Sequence, residues 1–204
     1  MIQILTGTYQ TIDPTPHGTP ARIELDLGCG KGRFALELAR RSPDTLVLAS
    51  DVMLGRLRKV QRKAERQNLT NLNLLRASSL DLVAYQLPPT SIDRIHLLCP
   101  DPWPKSKHRN KRLVTTDFLA RLRRVLKPDG VLHLSTDHAP YLEDWKRMLA
   151  QLPFYENAPK TIEDVRSIQT DFELIWRKVG KTVPHLGYRL VSPANPPARP
   201  RPQR

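Results

Sequence analysis

The chain has 204 residues, 39% of them hydrophobic and 26% charged, a composition typical of one globular domain. Two cysteines are too few for a disulfide framework, and the lack of a run of about 18 apolar residues excludes a membrane-spanning helix. Thirty-three Lys and Arg against 20 Asp and Glu give a net charge of +13, which favours a polyanionic partner such as nucleic acid.

Strand-like and helix-like segments alternate through the middle of the chain. The predicted strands are Ile23–Leu27, Thr45–Ala49, Leu72–Leu75, Ile92–Cys99 and Val131–Ser135. The predicted helices are Phe34–Arg41, Leu54–Gln67, Phe118–Leu126 and Tyr141–Leu152, and a turn is expected at Lys127–Gly130. This alternation predicts an α/β fold with a doubly wound, mostly parallel sheet and helices on both faces. Ligands then bind at the carboxyl ends of the strands.

Both ends differ from the single domain expected over residues 22–191. Residues 1–21 carry several prolines and no Lys or Arg, and we interpret them as a loose N-terminal leader. Residues 192–204, SPANPPARPRPQR, have the composition of a disordered Pro/Arg-rich basic tail. The first residues lack the basic start and cleavage site of a secretory signal, so we expect a cytoplasmic protein.

A glycine-rich loop follows the first predicted strand. The run ELDLGCGKGRF places Gly28, Gly30 and Gly32 after Asp26, in the pattern acid-x-G-x-G-x-G. A dinucleotide fingerprint would need a glycine at Arg33, so a nicotinamide dehydrogenase is disfavoured. Glycines in this position let the backbone approach a ligand closely.

A second acid, Asp51, closes the next strand, where a carboxylate can accept hydrogen bonds from both hydroxyls of a ribose. Together with the glycine loop it predicts a site for a nucleoside without pyrophosphate. S-Adenosylmethionine is such a ligand, an adenosine that carries an amino acid and a sulfonium. The alternative is a tight turn in which Asp51 only caps the next helix. Ser78 and Ser79, after the third strand, would offer hydroxyls to this ligand, with Asp81 nearby.

The stretch CPDPWPKSKHRNKR follows the fourth predicted strand. Its prolines restrict the backbone, so Asp101 and Trp103 would be held in place. An aspartate can accept hydrogen bonds from the N1–H and N2–H edge of guanine, or it can start an Asp-Pro turn. The tryptophan can stack on a base or pack under the loop. Nine Lys or Arg between Trp103 and Lys127, against Asp117 alone, can contact phosphates.

The run PDPWPKSKHRNKRLV, residues 100–114, resembles the signature of the tRNA (guanine-N7)-methyltransferase family, the bacterial TrmB type. ELDLGCGKG, LSTDHAPY at residues 134–141 and TDFE at residues 170–173 agree with that family in order and spacing. The resemblance covers about residues 22–191. It implies a Rossmann-like class I methyltransferase fold with seven strands. It also implies methyl transfer from S-adenosyl-L-methionine to N7 of guanine 46 in the tRNA variable loop, with S-adenosyl-L-homocysteine as the product.

The resemblance, the glycine loop and the basic cluster together assign roles to particular residues. Those expected at the cofactor are Asp26, Gly28, Gly30, Gly32, Asp51, Ser78, Ser79 and Asp101, the last also as the catalytic residue. Those expected at the tRNA substrate are Lys105, Asp137, Thr170, Asp171, Phe172 and Glu173. Those expected at RNA phosphates are Lys107, Arg109, Lys111 and Arg112. We expect no metal and no membrane, and a monomer and a homodimer are both open.

The chain departs from the family pattern at several positions. The family usually has glutamate where Asp26 and Asp51 stand, so these carboxylates are one methylene shorter here. It usually has aspartate at Ser78, which leaves only a hydroxyl for that cofactor contact. Many members begin with a basic arm, whereas the segment before Arg22 has no Lys or Arg.

The implied chemistry needs alignment more than proton transfer. Guanine N7 carries a free lone pair, so we expect Asp101 to orient the base and stabilise developing positive charge without removing a proton. Asp137 and Glu173 are expected at the other polar edges of the base. The histidines are expected to be surface or packing residues. The alternatives are another class I methyltransferase acting on RNA or protein, and a non-catalytic RNA-binding scaffold.

Overall fold

One sheet of eight strands crosses the computed structural model, which describes residues 2–5, 11–14 and 20–191. The strands are β1 (Ile2–Ile4), β2 (Arg22–Leu27), β3 (Thr45–Asp51), β4 (Leu72–Arg76), β5 (Ile92–Leu98), β6 (Leu126–Ser135), β7 (Tyr155–Asn157) and β8 (His185–Leu190). They lie in the order β1-β4-β3-β2-β5-β6-β8-β7. Strand β8 runs antiparallel to β6 and β7, and the other neighbours are parallel. The predicted doubly wound, mostly parallel sheet is confirmed.

Helices cover both faces of this sheet. They are α1 (Arg33–Arg41), α2 (Leu54–Arg66), α3 (Ser79–Asp81), α4 (Thr116–Val125), α5 (Ala139–Ala150) and α6 (Asp171–Lys178). A π-helical turn spans Leu82–Gln86, and 3₁₀ turns span Ser106–Lys111 and Pro159–Ile162. The strands and helices predicted between Ile23 and Leu152 are all confirmed, with ends shifted by a few residues.

The core lies on both faces because neighbouring residues of a strand point in opposite directions. In β3, Leu48 belongs to one large apolar cluster, which also contains Phe118 of α4 and Trp145 of α5. Val47 and Ala49 pack in a second apolar cluster, formed with residues of α1 and α2. Sandwiched between helices, the parallel strands leave only their carboxyl ends open to a ligand.

Gly32, one of the predicted cofactor residues, packs between two helices. It precedes α1 with φ = +76°, and a Cβ atom there would lie 2.5 Å from Cγ2 of the buried Val60 in α2. This glycine therefore lets α1 approach α2 closely and turns the chain into the helix. Gly32 is not among the residues that line the cleft at the carboxyl ends of the strands, and its contact with a cofactor stays a prediction.

The predicted loose leader contains ordered structure. Strand β1 pairs with Leu74–Arg76 at the sheet edge and is an eighth strand beyond the seven that were expected. Ile12 is buried, and its N–H donates to the carbonyl of Gln86 at 2.8 Å. The description of residues 1–21 as loose is wrong for these two segments.

The predicted turn at Lys127–Gly130 is part of β6. Asp129 has φ = +60°, and the pairing of β6 with β5 changes register between Ile92 and Arg94. The segment is thus a bulge in β6, which has more residues than β5 between the two paired positions. The left-handed conformation of Asp129 accommodates these extra residues. The predicted basic tail, residues 192–204, lies outside the described residues. None of the helices that the structure describes is long and apolar enough to cross a membrane.

Candidate active site

A cleft of about 440 Å³ opens at the carboxyl ends of β2, β3 and β5. It is lined by most of the predicted site residues: Asp26, Gly28, Gly30, Asp51, Ser79, Asp101, Lys111, Thr170, Asp171 and Phe172. Eight predicted site residues do not line the cleft: Gly32, Ser78, Lys105, Lys107, Arg109, Arg112, Asp137 and Glu173. The sheet thus brings together residues that are up to 146 positions apart in the chain (Asp26 to Phe172).

The two strand-end acids lie side by side in this cleft. Asp26 is buried, and its Oδ2 has no hydrogen-bond partner among the described residues. Burial, and then the charge of Asp51, raise the pKa of Asp26 to about 7. A buried carboxylate with an unused oxygen favours a cationic ligand, because such a ligand compensates the cost of its ionisation.

Asp51 organises the glycine loop. Its Oδ2 accepts the Gly30 N–H at 3.1 Å, and its Oδ1 accepts the Met53 N–H at 2.7 Å. The N–H groups of Gly28 and Cys29 both donate to the Ser50 carbonyl, at 2.9 and 2.8 Å. Gly28 and Gly30 have φ of +78° and +58°, and a Cβ at Gly28 would meet no atom within 4 Å. The loop therefore presents bare backbone to the cleft, as the pattern predicted.

The CPDPW loop has a strained backbone at both ends. Cys99 has φ = +49° and Trp103 has φ = +41°, the left-handed region that residues other than glycine avoid. The exposed Asp101 lies between them and faces the cleft. The Trp103 ring meets the edge of His108 at 5.6 Å and lies under Lys111 Nζ at 4.9 Å. Lys111 therefore packs on the ring that was predicted to stack on a base or pack under the loop.

Arg112, predicted at RNA phosphates, instead anchors the CPDPW loop. Its Nε donates to the Pro102 carbonyl at 2.8 Å, and its Nη1 donates to Asp144 at 2.9 Å. The guanidinium lies over the Tyr141 ring at 4.5 Å, and 8% of the side chain is exposed. These contacts use its planar fork inside the protein, and the phosphate contact of Arg112 stays a prediction.

Glu173, predicted at the substrate, turns away from the cleft. Its Oε2 accepts the Thr170 N–H at 2.5 Å, while Thr170 Oγ1 accepts the Glu173 N–H at 3.2 Å, which forms a capping box. Its Oε1 lies 2.6 Å from Nε2 of His185. Glu173 thus positions the preceding residues Thr170 to Phe172, which do line the cleft, and its own contact with the substrate stays a prediction.

The two serines after β4 divide their roles. Ser78 Oγ accepts the Asp81 N–H at 3.1 Å and caps the short helix α3. Ser79 lines the cleft. Of the two serines predicted at the cofactor, Ser79 therefore faces the cleft, while the cap directs the Ser78 side chain towards its own helix.

The remaining predicted substrate and phosphate residues are exposed. Lys105, Lys107 and Arg109 lie at and within the 3₁₀ turn that follows the CPDPW loop, and Asp137 lies between β6 and α5. These positions suit contacts with a large partner that covers the mouth of the cleft.

Several cleft residues have no counterpart in the sequence-based prediction. Val52 and Ile175 are apolar and exposed, at 60% and 56%, on opposite elements of the cleft. Arg56 Nη1 lies 3.4 Å from Asp51 Oδ2. Cys29 and Cys99 also line the cleft, and burial raises the pKa of both thiols, that of Cys99 to about 11. Both stay protonated at neutral pH. In the sequence, only the short apolar run at Val52 and the many cations of α2 could have indicated that residues of these segments line the cleft.

The sequence of this chain is similar to those of known methyltransferases. The family described as putative methyltransferases matches residues 20–186. The chain belongs to this family. It is 34% identical over 155 residues to a tRNA (guanine-N(7)-)-methyltransferase of Caulobacter vibrioides, covering 75% of this chain and 67% of that protein. The protein of the same name from Christiangramia forsetii is 33% identical over 179 residues, covering 82% and 78%.

Other relatives in the putative methyltransferase family are longer than the matched part. The tRNA (guanine-N(7)-)-methyltransferase of Thermotoga maritima is 31% identical over 170 residues, which cover 80% of this chain and 52% of that protein. The chain thus spans about half the length of several curated relatives that it matches.

Solved structures show the same fold at low sequence identity. The 16S rRNA methyltransferase KamB superposes with a TM-score of 0.62 at 19% identity, over 85% of this chain and 89% of KamB. TrmN from Thermus thermophilus gives 0.59 at 23% identity, over 84% of this chain and 45% of TrmN. The expected class I methyltransferase fold is therefore confirmed.

Proposed function

We propose that the chain transfers a methyl group from S-adenosylmethionine to N7 of a guanine in the variable loop of tRNA. The observation that carries the proposal is one cleft that holds Asp26 and Asp51, Asp101 of the CPDPW loop, and Thr170 to Phe172. The curated relatives named tRNA (guanine-N(7)-)-methyltransferases support the same acceptor. A net charge of +13 suits RNA, and tRNA as the substrate favours a cytoplasmic location.

The residues of the cleft fit S-adenosylmethionine. The unpartnered Oδ2 of Asp26 is a buried acceptor for the cationic amino-acid part of the ligand. Gly28 and Gly30 would allow close approach along the loop, and Asp51 would accept the ribose hydroxyls beside its loop contacts. Ser79 would offer its hydroxyl near the adenine. No metal-ligating side chain is needed in this arrangement.

The chain's own groups orient the reactants. Bound S-adenosylmethionine would supply the methyl group as a sulfonium, so positive charge passes from sulfur to guanine and no proton leaves N7. Asp101 would accept hydrogen bonds from the N1–H and N2–H edge, which leaves N7 free to face the cofactor. The carboxylates of Asp26 and Asp101 keep the site favourable to a cation throughout. The protonated thiols of Cys29 and Cys99 offer no competing nucleophile.

The exposed cations Lys105, Lys107 and Arg109 would contact the tRNA backbone outside the cleft. They lie in one short segment directly after the loop that carries Asp101. Phosphate contacts there would bring the RNA to the cleft without selecting its sequence. Selection of guanine is left to Asp101 and to the Thr170–Phe172 segment.

The test is methyl transfer from labelled S-adenosylmethionine to unmodified tRNA, with the product mapped by borohydride and aniline cleavage at 7-methylguanine. We expect cleavage in the variable loop with the wild type. We expect Asp101→Ala to lower kcat/KM by roughly 100-fold or more, because it removes a preorganised charged group at the reacting base.

Asp117→Ala is the matched control, since Asp117 is an exposed acid on α4 and its loss leaves the cleft intact. It should retain the wild-type rate. Cofactor binding without any labelled tRNA would refute the tRNA assignment and favour another methyl acceptor or a non-catalytic scaffold.

A further inference from the structure

Five buried side chains form a continuous file of hydrogen bonds across one face of the sheet. It runs from β2 through β5, β6 and β8 to α6, in the order Glu24, His96, His133, His185, Glu173. The four contacts are Glu24 Oε2 to His96 Nε2 at 2.7 Å, His96 Nδ1 to His133 Nδ1 at 2.9 Å, His133 Nε2 to His185 Nδ1 at 2.7 Å, and His185 Nε2 to Glu173 Oε1 at 2.6 Å. At most 7% of any of these side chains is exposed.

The number of protons in this file follows from the four contacts. Each contact joins two atoms that can both accept, so each needs one proton between them. Three neutral imidazoles carry one N–H each and satisfy three contacts. With both carboxylates ionised, the fourth contact requires one more proton, so one imidazole of the three is a cation with two N–H groups.

Burial and hydrogen bonding shift the pKa values of four members of the file. Burial alone would raise the pKa of Glu173, but the hydrogen bonds from His185 and the Thr170 N–H hold it below its ordinary value. Burial would likewise raise the pKa of Glu24, but its hydrogen bond with His96 lowers it below the ordinary value. Burial lowers the pKa of His96 and, more strongly, that of His133. Burial therefore disfavours the charged form of the His96 ring and of the His133 ring.

Other charged or titratable groups face the two ends of the file. At the β2 end, Arg22 Nε lies 2.7 Å from Glu24 Oε1, and Arg94 Nε lies 3.9 Å from Glu24 Oε2. Arg94 also pairs with Asp164 at 2.9 Å. Both arginines disfavour a charge on His96, and Arg94 also disfavours one on His133. At the α6 end, Glu173 and Asp137 act on the Cys99 thiol. The arginines thus lie at the β2 end, where they pair with Glu24 and Asp164, and the α6 end has the acids Glu173 and Asp137.

The α6 end of the file leads directly to the cleft. Glu173 uses one carboxylate oxygen for His185 and the other for the Thr170 N–H. That second contact closes the capping box, and the residues it fixes, Thr170 to Phe172, line the cleft. A change in the His185–Glu173 contact therefore reaches the segment that faces the substrate, while the acids at β2 and β3 lie on the other side of the cleft.

We propose that His185 is a positioning residue, which holds Thr170 to Phe172 in place for guanine through Glu173 and one proton shared along the buried file. The inference rests on the proposed function for the identity of the acceptor. Loss of the fourth proton at high pH leaves two acceptor atoms face to face within 2.9 Å somewhere in the file. The His185–Glu173 contact is one of the four that can then open, and the capping box is weakened with it. Affinity for tRNA then falls, while affinity for the cofactor is retained.

Glu24→Gln tests this at the end of the file remote from Thr170. The glutamine amide can donate to His96 Nε2 and keep its oxygen towards Arg22, so three neutral imidazoles satisfy all four contacts without a fourth proton. We expect the wild type to lose affinity for tRNA by about tenfold per pH unit once the fourth proton is lost at high pH. Glu24→Gln should retain its affinity at the same pH.

The matched control is Glu156→Gln, which changes an exposed glutamate paired with Arg189 at the edge of the same sheet. It should follow the wild-type pH profile. Equal profiles for wild type and Glu24→Gln, with methyl transfer to guanine N7 intact, would overturn the positioning role alone. Absence of that methyl transfer at every pH would refute the proposed function instead.

A measurement on the wild type keeps the test independent of any variant's folding. Nitrogen NMR of the imidazoles at neutral pH should show one doubly protonated ring shared among His96, His133 and His185. Three neutral rings would overturn the proposal.

Discussion

Burial decides what two charged residues of this methyltransferase do. Arg112 and Asp26 are both ordinary charged residues in the sequence, one in a basic cluster and one before a glycine loop. In the fold, Arg112 donates hydrogen bonds to the Pro102 carbonyl of the CPDPW loop and to Asp144 of α5. Asp26 is buried with a free oxygen and a raised pKa. The first therefore holds the loop in place, and the second is the residue that we propose for the cationic part of the cofactor.

Cofactor affinity should depend on pH through Asp26. Its pKa of about 7 means that the group ionises only as the pH rises through neutrality, and the ionised form is the one that binds a cation. We expect the affinity for S-adenosylmethionine, measured by calorimetry, to rise between pH 6 and pH 8, with a limiting slope of about tenfold per unit below the pKa.

Asp26→Asn is the reference at each pH, because the ligand's own amino group titrates in both proteins. The variant should bind more weakly at pH 8 and lack the slope due to residue 26. The same slope in both proteins would show that Asp26 does not contact the cationic part of the ligand.

At the scale of elements, the three glycines of one motif do different work. Gly28 and Gly30 open the backbone to the cleft, whereas Gly32 joins α1 to α2. The spacing G-x-G-x-G therefore contains a ligand signal and a packing signal together. The residues of TDFE also have different roles, since Phe172 lines the cleft and Glu173 forms the capping box of α6.

Gly32→Ala should destabilise the protein by roughly 2–4 kcal/mol. The new Cβ would overlap the stiff, buried Val60, and alanine would have to adopt φ = +76°. Urea unfolding would measure the loss. Cofactor affinity of the folded fraction should stay near the wild type, because the Cβ points away from the cleft.

Gly55→Ala in α2 provides the control, since a Cβ there meets no atom within 4 Å and alanine favours a helix by up to about 1 kcal/mol. Val60→Ala should restore part of the stability of Gly32→Ala in a double-mutant cycle. If Gly32→Ala kept full stability and lost cofactor binding, the packing role would be refuted.

At the scale of the whole molecule, positive charge is spread over two exposed regions. One follows the CPDPW loop, with Lys105, Lys107 and Arg109, and the other is α2, with Arg58, Lys59 and Arg62. Only the first directly follows the loop that carries Asp101. Net charge alone could not separate them, because it contains no information on distance from the cleft.

The triple variant Lys105→Ala, Lys107→Ala, Arg109→Ala should flatten the salt dependence of tRNA binding. Removing one phosphate contact lowers the slope of log K against log salt by about 0.7–0.9, so a decrease of roughly 2–3 is expected for three. Filter binding at several salt concentrations measures it.

The corresponding triple alanine variant of Arg58, Lys59 and Arg62 tests the other region and should change the slope less. A larger change with the α2 variant would move the RNA backbone contacts from the CPDPW side to α2.

Local patterns in the sequence determined the framework of this protein. Alternating apolar residues predicted the strands, glycines after Asp26 predicted a backbone-lined site, and the PDPW and TDFE runs indicated the family, because each of these features depends on residues close together in the chain. Only the tertiary structure decided the partners of the buried polar groups. His96, His133 and His185 lie on three strands that pair through the sheet, and Arg112 reaches Asp144 across 32 positions, so their contacts depend on register and burial, which no local pattern contains.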